Sequence, residues 1–519
     1  MYHVTRNHSK KSGMTTYPDI IDTICTLADA DPARPFLRNA AGDVLLDYGQ
    51  LRSEAARIAA LLAELGIQPG DRVTAQVEKS VPALLLYLGC LWHGAVYMPL
   101  NSGYTASEVA WFIDNAEPSL LIVDPLWRNR LDNLPATLRI ETLDGSGKGS
   151  WTDLLAHVAT TAATPPSHDP EAPAAMLYTS GTTGKPKGAV IPRRALSSNA
   201  AILVDAWRFT KDDVLIHALP IFHVHGLFIA TNTLISAGGS MIFLPKFDAA
   251  EVLSLFPRAT SLMGVPTFYT RLLTLTGLTP DAVKNMHLFI SGSAPLLADT
   301  HRAFADKTGH YILERYGMTE TQMNTSNPYE GVREPGTVGF PLPGVDLRIT
   351  DPASGTPLPQ GEIGMIEVRG PNLFSGYWRN PGKTAEDMRD DGFFITGDLG
   401  MIDDKGYVRI IGRGKDLIIS GGFNIYPKEV ESEIDDLPGV NESAVIGVPH
   451  PDFGEAVVAV IVPLAGAELS EAGIITGLQD RLARFKQPKS VQFVPELPRN
   501  TMGKVQKNAL RDQYRDLFA

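Results

Sequence analysis

The chain has 519 residues, of which 44% are hydrophobic and 20% charged, so it can bury a substantial core and global disorder is excluded. At about 100 to 200 residues per domain, this length predicts roughly three structural units. The net charge of −12 disfavours nucleic acid and anionic membrane surfaces as partners. Only Cys25 and Cys90 occur, too few for a disulfide framework, and we expect a cytoplasmic protein.

Residues 1–16 are polar and slightly basic, and they contain no apolar run of the kind that a secretory signal needs. They also lack the sustained arginine-rich amphipathic pattern of a mitochondrial leader. We therefore predict that they form a flexible tail ahead of the folded chain.

From Tyr17 to about Glu171, helix-like runs such as LRSEAARIAALLAELG alternate with short apolar strands such as RVTAQV and LLIVD. This alternation is typical of strands joined by crossover helices. It continues through VLIHALP, SMIFLPK and HLFISGS, where strands end in Gly, Pro or Ser just before a new helix. The pattern predicts an α/β fold of layered α/β subdomains, with sites at the strand ends.

Two apolar stretches, residues 81–100 and 222–244, are long enough to resemble membrane spans. The first is split by His93 and Gly94, and the second carries histidines and glycines along its length. We predict that both are buried core segments and that the protein has no membrane span.

From about Gly339, short strands alternate with turn signals and helices become rare, which predicts a mostly β subdomain. After Gly412 the chain changes to a compact mixture of helix-like and strand-like runs. We predict an N-terminal domain at 17–412, a hinge at 413–416 and a small, mobile α+β C-terminal domain at 417–519.

The segment TSGTTGKPKG, residues 179–188, follows a strand-like run. Its glycines allow backbone amides to converge on an anion, and its hydroxyls and lysines suit a polyphosphate. The spacing is not that of GxxxxGK[ST], so a Walker-type nucleotide loop is excluded. Taken alone, the segment could equally be an exposed turn.

The segment is followed by four further motifs in a fixed order: ERYGMTET, TGDLG, GRGKDLIISGGFNIYPKEVE and PRNTMGKVQK. Together the five motifs resemble the acyl-adenylate-forming superfamily, which includes acyl-CoA synthetases, firefly luciferase and the adenylation domains of peptide synthetases. The resemblance covers essentially the whole chain from about residue 20. It implies that ATP activates a carboxylic acid as an acyl-adenylate with Mg²⁺, and that the acyl group then passes to CoA.

The resemblance also implies the ATP contacts. Those for the β- and γ-phosphates are Thr179, Ser180, Thr182, Thr183 and Lys187. Those for the α-phosphate and for Mg²⁺ are Thr319 and Glu320, and carboxylate and phosphate oxygens are ligands that Mg²⁺ prefers. Those for adenine are Gly292, Ser293, Ala294 and Tyr316, and those for ribose are Asp398 and Arg413.

Lys504 occupies the position of the family's C-terminal lysine, whose charge would stabilise the carboxylate attacking the α-phosphate. Lys415 falls where the family has its hinge, and Gly421 and Gly422 would line a pantetheine tunnel. By the same resemblance, Lys504 is a candidate target of a protein lysine acetyltransferase, since loss of its charge would stop the first step.

Longer strings, among them HALPIFHVHGLF and ISGSAPLLADTHR, resemble malonyl-CoA synthetases more narrowly. Malonate carries a second carboxylate, for which an arginine fork is a suitable partner. We expect Arg302, with Ser293 and His223, to bind it, and Arg271 is the second choice. Methylmalonate or another short acid is the alternative substrate, and loading of a carrier protein, a catalytically dead nucleotide sensor and a luciferase-like oxidation are the alternative functions.

Overall fold

The computed structural model describes residues 17–131, 134–159, 164–179, 186–420, 423–479, 481–500 and 503–518. Two α/β layers are followed by an antiparallel β subdomain and by a smaller α+β unit at the C-terminus. The predicted fold class is confirmed.

The elements follow one another in the order that the alternating sequence pattern predicts. Those up to the glycine-rich hairpin are α1 (Ile20–Ala30), β1 (Pro35–Arg38), β2 (Val44–Asp47), α2 (Tyr48–Glu64), β3 (Arg72–Gln76), α3 (Val81–His93), β4 (Val96–Pro99), α4 (Ala106–Ala116), β5 (Leu120–Val123), α5 (Pro125–Arg128), β6 (Arg139–Thr142), α6 (Ser150–Ala156), β7 (Pro173–Thr179) and β8 (Lys187–Pro192).

The second α/β layer takes most of its elements from the next part of the chain. They are α7 (Arg193–Trp207), β9 (Val214–His217), a π-helix (His225–Ala230), α8 (Thr231–Ala237), β10 (Ser240–Phe243), α9 (Ala249–Leu255), a 3₁₀ turn (Phe256–Arg258), β11 (Ser261–Gly264), α10 (Pro266–Leu273), β12 (Leu288–Ser291), α11 (Ala298–Thr308), β13 (Leu313–Met318), β14 (Gln322–Ser326) and β15 (Phe340–Pro341).

The remaining elements belong to the β subdomain and the C-terminal unit. They are β16 (Asp346–Thr350), β17 (Gly364–Arg369), β18 (Gly376–Tyr377), α12 (Pro381–Glu386), β19 (Phe394–Ile402), β20 (Val408–Arg413), a 3₁₀ turn (Gly414–Asp416), β21 (Ile418–Ser420), β22 (Phe423–Ile425), α13 (Pro427–Asp435), β23 (Val440–His450), β24 (Gly454–Pro463), α14 (Glu471–Leu478), β25 (Ser490–Phe493) and α15 (Lys507–Gln513).

Two large sheets carry the first part of the chain. One has the strand order β18-β8-β7-β4-β3-β5-β6 and is parallel from β7 to β6. The other has the order β15-β14-β13-β12-β11-β9-β10-β1-β2 and is parallel from β13 to β1. Parallel neighbours point their carboxyl ends to the same edge, so the ends of β9, β11, β12 and β13 gather residues there.

Both apolar stretches that resemble membrane spans are buried inside these layers. Residues 83–92 of α3 are buried on every side, and α3 ends at Gly94, whose φ of 90° is the left-handed conformation that favours glycine. The stretch 222–244 contains the π-helix, α8 and β10. In the described part of the chain, no helix combines the length and apolar character that crossing a membrane requires.

The β subdomain is the antiparallel sheet β16-β17-β19-β20. The C-terminal unit has a sheet of its own, β22-β21-β24-β23 with β25 beside β24. Alternate residues of β24 enter two apolar clusters, one shared with α13 and α14 and one shared with α15. Because both faces of β24 are covered, its sequence AVVAVIV is continuously apolar.

Candidate active site

The ends of β7 and β8 that flank the glycine-rich segment lie close to Glu320 of the motif ERYGMTET. Thr179 ends β7 opposite Lys187 at the start of β8. The Thr179 hydroxyl donates to Oε1 of Glu320 at 3.1 Å, and the Tyr377 hydroxyl donates to the same oxygen at 3.2 Å. Lys187 Nζ lies 3.6 Å from Asp387 Oδ2 and 4.2 Å from the centre of the Tyr377 ring. The structure therefore brings Thr179, Lys187 and Glu320 together.

Glu320 is buried, and burial raises the pKa of its carboxyl group despite the hydroxyl donors and the nearby Lys187. A buried carboxylate with two neighbouring hydroxyl groups offers oxygen ligands of the kind that Mg²⁺ prefers. Ser180, Thr182 and Thr183, which we predicted to bind phosphate, lie outside the described residues. Thr319 precedes Glu320 and is half-buried.

The predicted ribose ligand is held by two neighbours. Asp398 in β19 and Arg413 in β20 are directly paired across the sheet, with Arg413 Nε 2.8 Å from Asp398 Oδ1. The Tyr316 hydroxyl donates to Asp398 Oδ2 at 2.6 Å. Asp398 raises the pKa of the Arg413 guanidinium, so the arginine stays charged. Each carboxylate oxygen keeps lone pairs for further donors, such as vicinal hydroxyls.

The segment Gly292–Ala294 follows β12 and packs against a buried guanidinium. A side chain at Gly292 would place Cβ 2.2 Å from Nη1 of Arg315, so any larger residue here would displace the guanidinium. Ser293 adopts a left-handed backbone with a φ of 70°, and its Oγ lies 3.2 Å from Nδ1 of His225. The predicted adenine segment thus also borders a polar pocket.

Arg315 is the charged member of the group of polar side chains near Ser293 and His225, a group that we call the pocket. Its side chain is buried, and among the described residues its Nε and Nη2 have no hydrogen-bond partner. Burial lowers the pKa of Arg315 to about 10, still high enough for the guanidinium to be charged at neutral pH. The neighbouring Glu314 is also buried, and burial raises its pKa to about 8. Glu314 is therefore mainly protonated at neutral pH and does not neutralise the charge of Arg315.

Two neutral histidines stand beside Arg315. The backbone N–H of His225 donates to Nδ1 of His223 at 3.2 Å, so the His223 proton is assigned to Nε2. Burial, with Arg315 and Lys504 nearby, lowers the pKa of His223 to about 4. Burial and Arg315 lower the pKa of His225 as well, and its Nε2 lacks a partner in the described part of the chain. Buried donors without acceptors call for a ligand or water.

Lys504 reaches the same cleft from the C-terminal unit. It lies in a hairpin whose turn is closed by the Gly503 N–H donating to the Asn500 carbonyl at 2.9 Å. A side chain at Gly503 would lie 3.4 Å from Thr267 of α10, so the hairpin touches the N-terminal layers. The Lys504 side chain is exposed at the cleft, but the surrounding protein displaces part of its water. This desolvation, and to a smaller extent the charge of Arg413, lowers the pKa of Lys504 to about 8.

The two arginines that we expected at the distal carboxylate are both exposed. Arg302 lies on the exposed side of α11 and pairs with Asp299 at 2.6 Å, because its helical position faces away from the core. Arg271 is likewise exposed, near the end of α10. Among the described residues, neither arginine has a hydrogen bond or ion pair with Ser293 or His223, so a role of Arg302 or Arg271 at the distal carboxylate stays a prediction.

Of the three residues Lys415, Gly421 and Gly422 that we predicted for the hinge and the pantetheine tunnel, only Lys415 is among the described residues. Lys415 lies in the 3₁₀ turn Gly414–Asp416, and burial lowers its pKa. Gly421 and Gly422 lie outside the described residues. Sequence reasoning missed Arg315 and His225, although both stand in quoted motifs; an arginine inside the buried strand ERYGM was the signal that could have found the first.

Two family descriptions match the chain: AMP-binding enzyme over residues 26–378, and AMP-binding enzyme C-terminal domain over residues 429–504. The chain belongs to the AMP-binding enzyme family. It is an AMP-forming acid–thiol ligase, as the CoA ligases among its relatives also indicate.

Two solved structures of one protein and one further relative illustrate the similarity. Crystalline ATP-bound MatB from Rhodopseudomonas palustris is 57% identical, covers 97% of this chain and 100% of its own, and superposes with a TM-score of 0.93. Apo MatB from the same organism gives 0.82 at the same identity, covering 97% of this chain and 100% of its own. The malonate–CoA ligase of Arabidopsis thaliana is 33% identical over 89% of this chain and 84% of its own.

Proposed function

We propose that the protein is a malonyl-CoA synthetase, which joins malonate to CoA through malonyl-AMP and releases AMP and pyrophosphate. The observation that carries this proposal is Arg315, a buried guanidinium whose Nε and Nη2 find no acceptor among the described residues. A monocarboxylate would leave that charge unpaired, at a substantial desolvation cost, whereas the second carboxylate of malonate would satisfy it.

The arrangement of charges fits a short dicarboxylate. Lys504 and Arg315 both act electrostatically on His223, which is neutral. We assign the distal carboxylate to Arg315, His225 and Ser293, and the reacting carboxylate to the side of Lys504. This assignment puts Arg315 in place of Arg302 and Arg271, keeps Ser293, and moves His223 from the distal carboxylate to a position between the two ends of the substrate.

For the first half-reaction, we propose that one malonate oxygen attacks the α-phosphorus of ATP and that pyrophosphate leaves. The Lys504 ammonium would stabilise the negative charge that develops on the phosphate oxygens, with no proton transfer required. Thr179, Lys187 and Thr319 would hold the phosphates, and Gly292, Ala294, Tyr316, Asp398 and Arg413 the nucleoside.

Glu320 fits Mg²⁺, because it is a buried carboxylate with hydroxyl neighbours beside the predicted phosphate site. When bound, Mg²⁺ would neutralise part of the phosphate charge. The remaining ligands of such an ion are normally phosphate oxygens and water, so one protein carboxylate is enough.

For the second half-reaction, we propose that the C-terminal domain, residues 417–519, turns about the hinge 413–416 and that the CoA thiol then attacks malonyl-AMP. The higher TM-score against ATP-bound than against apo MatB supports an adenylating orientation for the conformation described here.

Free thiols at Cys25 and Cys90 support a reducing compartment such as the cytoplasm.

Exposure of Lys504 also supports the proposal that a lysine acetyltransferase modifies it. Acetylation would remove the charge and stop adenylation. Mass spectrometry of the protein incubated with and without an acetyltransferase, coupled to an adenylation assay, tests this; an acetylated Lys504 with full adenylation activity would contradict it.

The test of the function is isotope exchange between pyrophosphate and ATP without CoA, with malonate, methylmalonate, succinate, acetate and butyrate compared. We expect strong exchange with malonate. Exchange with monocarboxylates alone would retain the ligase and reject malonate, and product analysis with CoA separates free thioester formation from loading of a carrier protein.

A further inference from the structure

A buried lysine, Lys79, contacts the end of β9 and is not used by the proposed mechanism. Lys79 stands in the loop between β3 and α3, and only 8% of it is exposed. Its Nζ donates to three acceptors: Nδ1 of His217 at 2.7 Å, the carbonyl of His217 at 2.7 Å and the carbonyl of Leu219 at 2.9 Å. In the parts of the chain that the structure covers, no carboxylate forms an ion pair with it. A lysine buried in this way is unusual.

Lys79 also lines a cavity of about 220 Å³, bordered among others by Phe222 and Phe247. Burial lowers the pKa of Lys79, yet its three neighbours are two carbonyls and the unprotonated Nδ1 of His217, which all accept. This geometry requires the three hydrogens of an ammonium group, so Lys79 has no further hydrogen to offer a ligand in that cavity. The role of Lys79 is therefore to be sought in the residues that it holds.

The first of these is His217, the last residue of β9. Because Nδ1 accepts from Lys79, the ring proton lies on Nε2, which donates to the carbonyl of Gly226 at 2.8 Å. Burial, and then the charge of Lys79, lower the pKa of His217 and keep the ring neutral. Lys79 thus fixes both the tautomer and the orientation of His217.

The acceptor, Gly226, belongs to the π-helix His225–Ala230. The same carbonyl also accepts from the Thr231 hydroxyl at 3.0 Å. A side chain at Gly226 would lie 2.1 Å from the Pro220 carbonyl, so the π-helix is pressed against the loop that Lys79 ties down. A π-helical turn is rare and is most often found at functional sites, where external contacts maintain it.

The first residue of the π-helix is His225, whose Nδ1 lies 3.2 Å from Ser293 Oγ beside Arg315. We propose that His217, held by Lys79, is a positioning residue that fixes the π-helical turn and thereby aims His225 at the distal carboxylate of the substrate. The inference rests on the proposed function, because it assumes that this pocket binds that carboxylate.

Two variants of His217 separate the two sides of the ring. His217→Gln keeps an amide donor near the position of Nε2, and His217→Asn keeps an acceptor near the position of Nδ1 but loses the donor to Gly226. In the pyrophosphate exchange assay, we expect His217→Asn to raise KM for malonate roughly tenfold and His217→Gln to change it by about twofold or less. KM for ATP should stay the same in both, and the midpoint of thermal unfolding is measured in parallel.

The outcomes distinguish positioning from packing. Equal KM values for the two variants, whether unchanged or raised together, would overturn the proposal, as would a larger effect of His217→Gln. Raising KM for malonate and ATP alike would also overturn it, because a merely loosened core affects both substrates. If the unmodified protein shows no exchange with malonate, the proposed function itself fails; if it does, these variants test the inference alone.

Discussion

The two cations of the proposed mechanism, Arg315 and Lys504, come from two different environments. Arg315 comes from a strand inside the large parallel sheet, buried and without a carboxylate partner in the described part of the chain. Lys504 comes from a hairpin of the C-terminal unit, exposed at the cleft and close to Asp398 and Asp416. A fixed guanidinium suits recognition of a substrate charge that never changes, whereas a movable lysine suits a charge needed in one step only.

Removing the cation of the C-terminal unit sharpens this comparison most. Lys504→Ala should lower the adenylation rate by about 10²- to 10³-fold, because the developing charge on the α-phosphate loses its stabilising partner. Thioester formation from supplied malonyl-AMP and CoA should stay close to the original rate. The two half-reactions are measured separately, by pyrophosphate exchange and by thioester yield, and equal loss in both would contradict the division of labour.

Removing the fixed cation should produce a different pattern. Arg315→Met should raise KM for malonate by about 30- to 100-fold, since hydrogen bonds to a charged group are lost, and should leave KM for ATP nearly unchanged. Exchange with butyrate should increase relative to malonate, because the pocket becomes apolar.

The matched control for Arg315 is Arg302→Ala, which removes an arginine from the exposed face of α11. It should leave KM for malonate unchanged. The opposite ranking of the two variants would restore Arg302 as the carboxylate ligand and remove the observation on which the malonate assignment depends.

The contrast between these arginines also shows what could be predicted from sequence. The alternation of helices and strands predicted the α/β layers, and the ordered motifs predicted Thr179, Lys187 and Glu320, which the structure brings together. Motif spacing does not reveal which face of α11 carries Arg302. Nor does it reveal the π-helix at His225, where the Gly226 carbonyl accepts from His217 and where Lys79, distant in the chain, contacts His217.

The hairpin that carries Lys504 has its own anchor. Arg499 donates to the Gly503 carbonyl at 2.6 Å and forms an ion pair with Glu442 of β23. Arg499→Gln should lower the adenylation rate about five- to tenfold, because the hairpin loses a charged hydrogen bond that orders Lys504. Thioester formation from supplied malonyl-AMP should not change.

Two further variants test this anchor. Combining Arg499→Glu with Glu442→Arg should recover part of the adenylation rate that either change loses alone, which a general loss of folding would not allow. Arg481→Gln removes a more exposed ion pair of the same unit, with Glu433, and should have no effect. Loss of both half-reactions in Arg499→Gln would show that the anchor serves folding.

The smallest effect concerns pH. Surrounding protein lowers the pKa of Lys504 to about 8, and only its protonated form carries the charge that adenylation needs. kcat/KM for ATP, which reports on the free enzyme, should therefore be highest below pH 8 and fall to about half at pH 8 as the ammonium loses its proton. Competitive acylation followed by mass spectrometry measures the titration of Lys504 directly, with the exposed Lys284 as an internal reference. If Lys504 titrates together with Lys284, the cleft does not displace water from the ammonium. Arg315 and Lys504 would then differ only in their positions in the fold, and not in how the surrounding protein affects their charges.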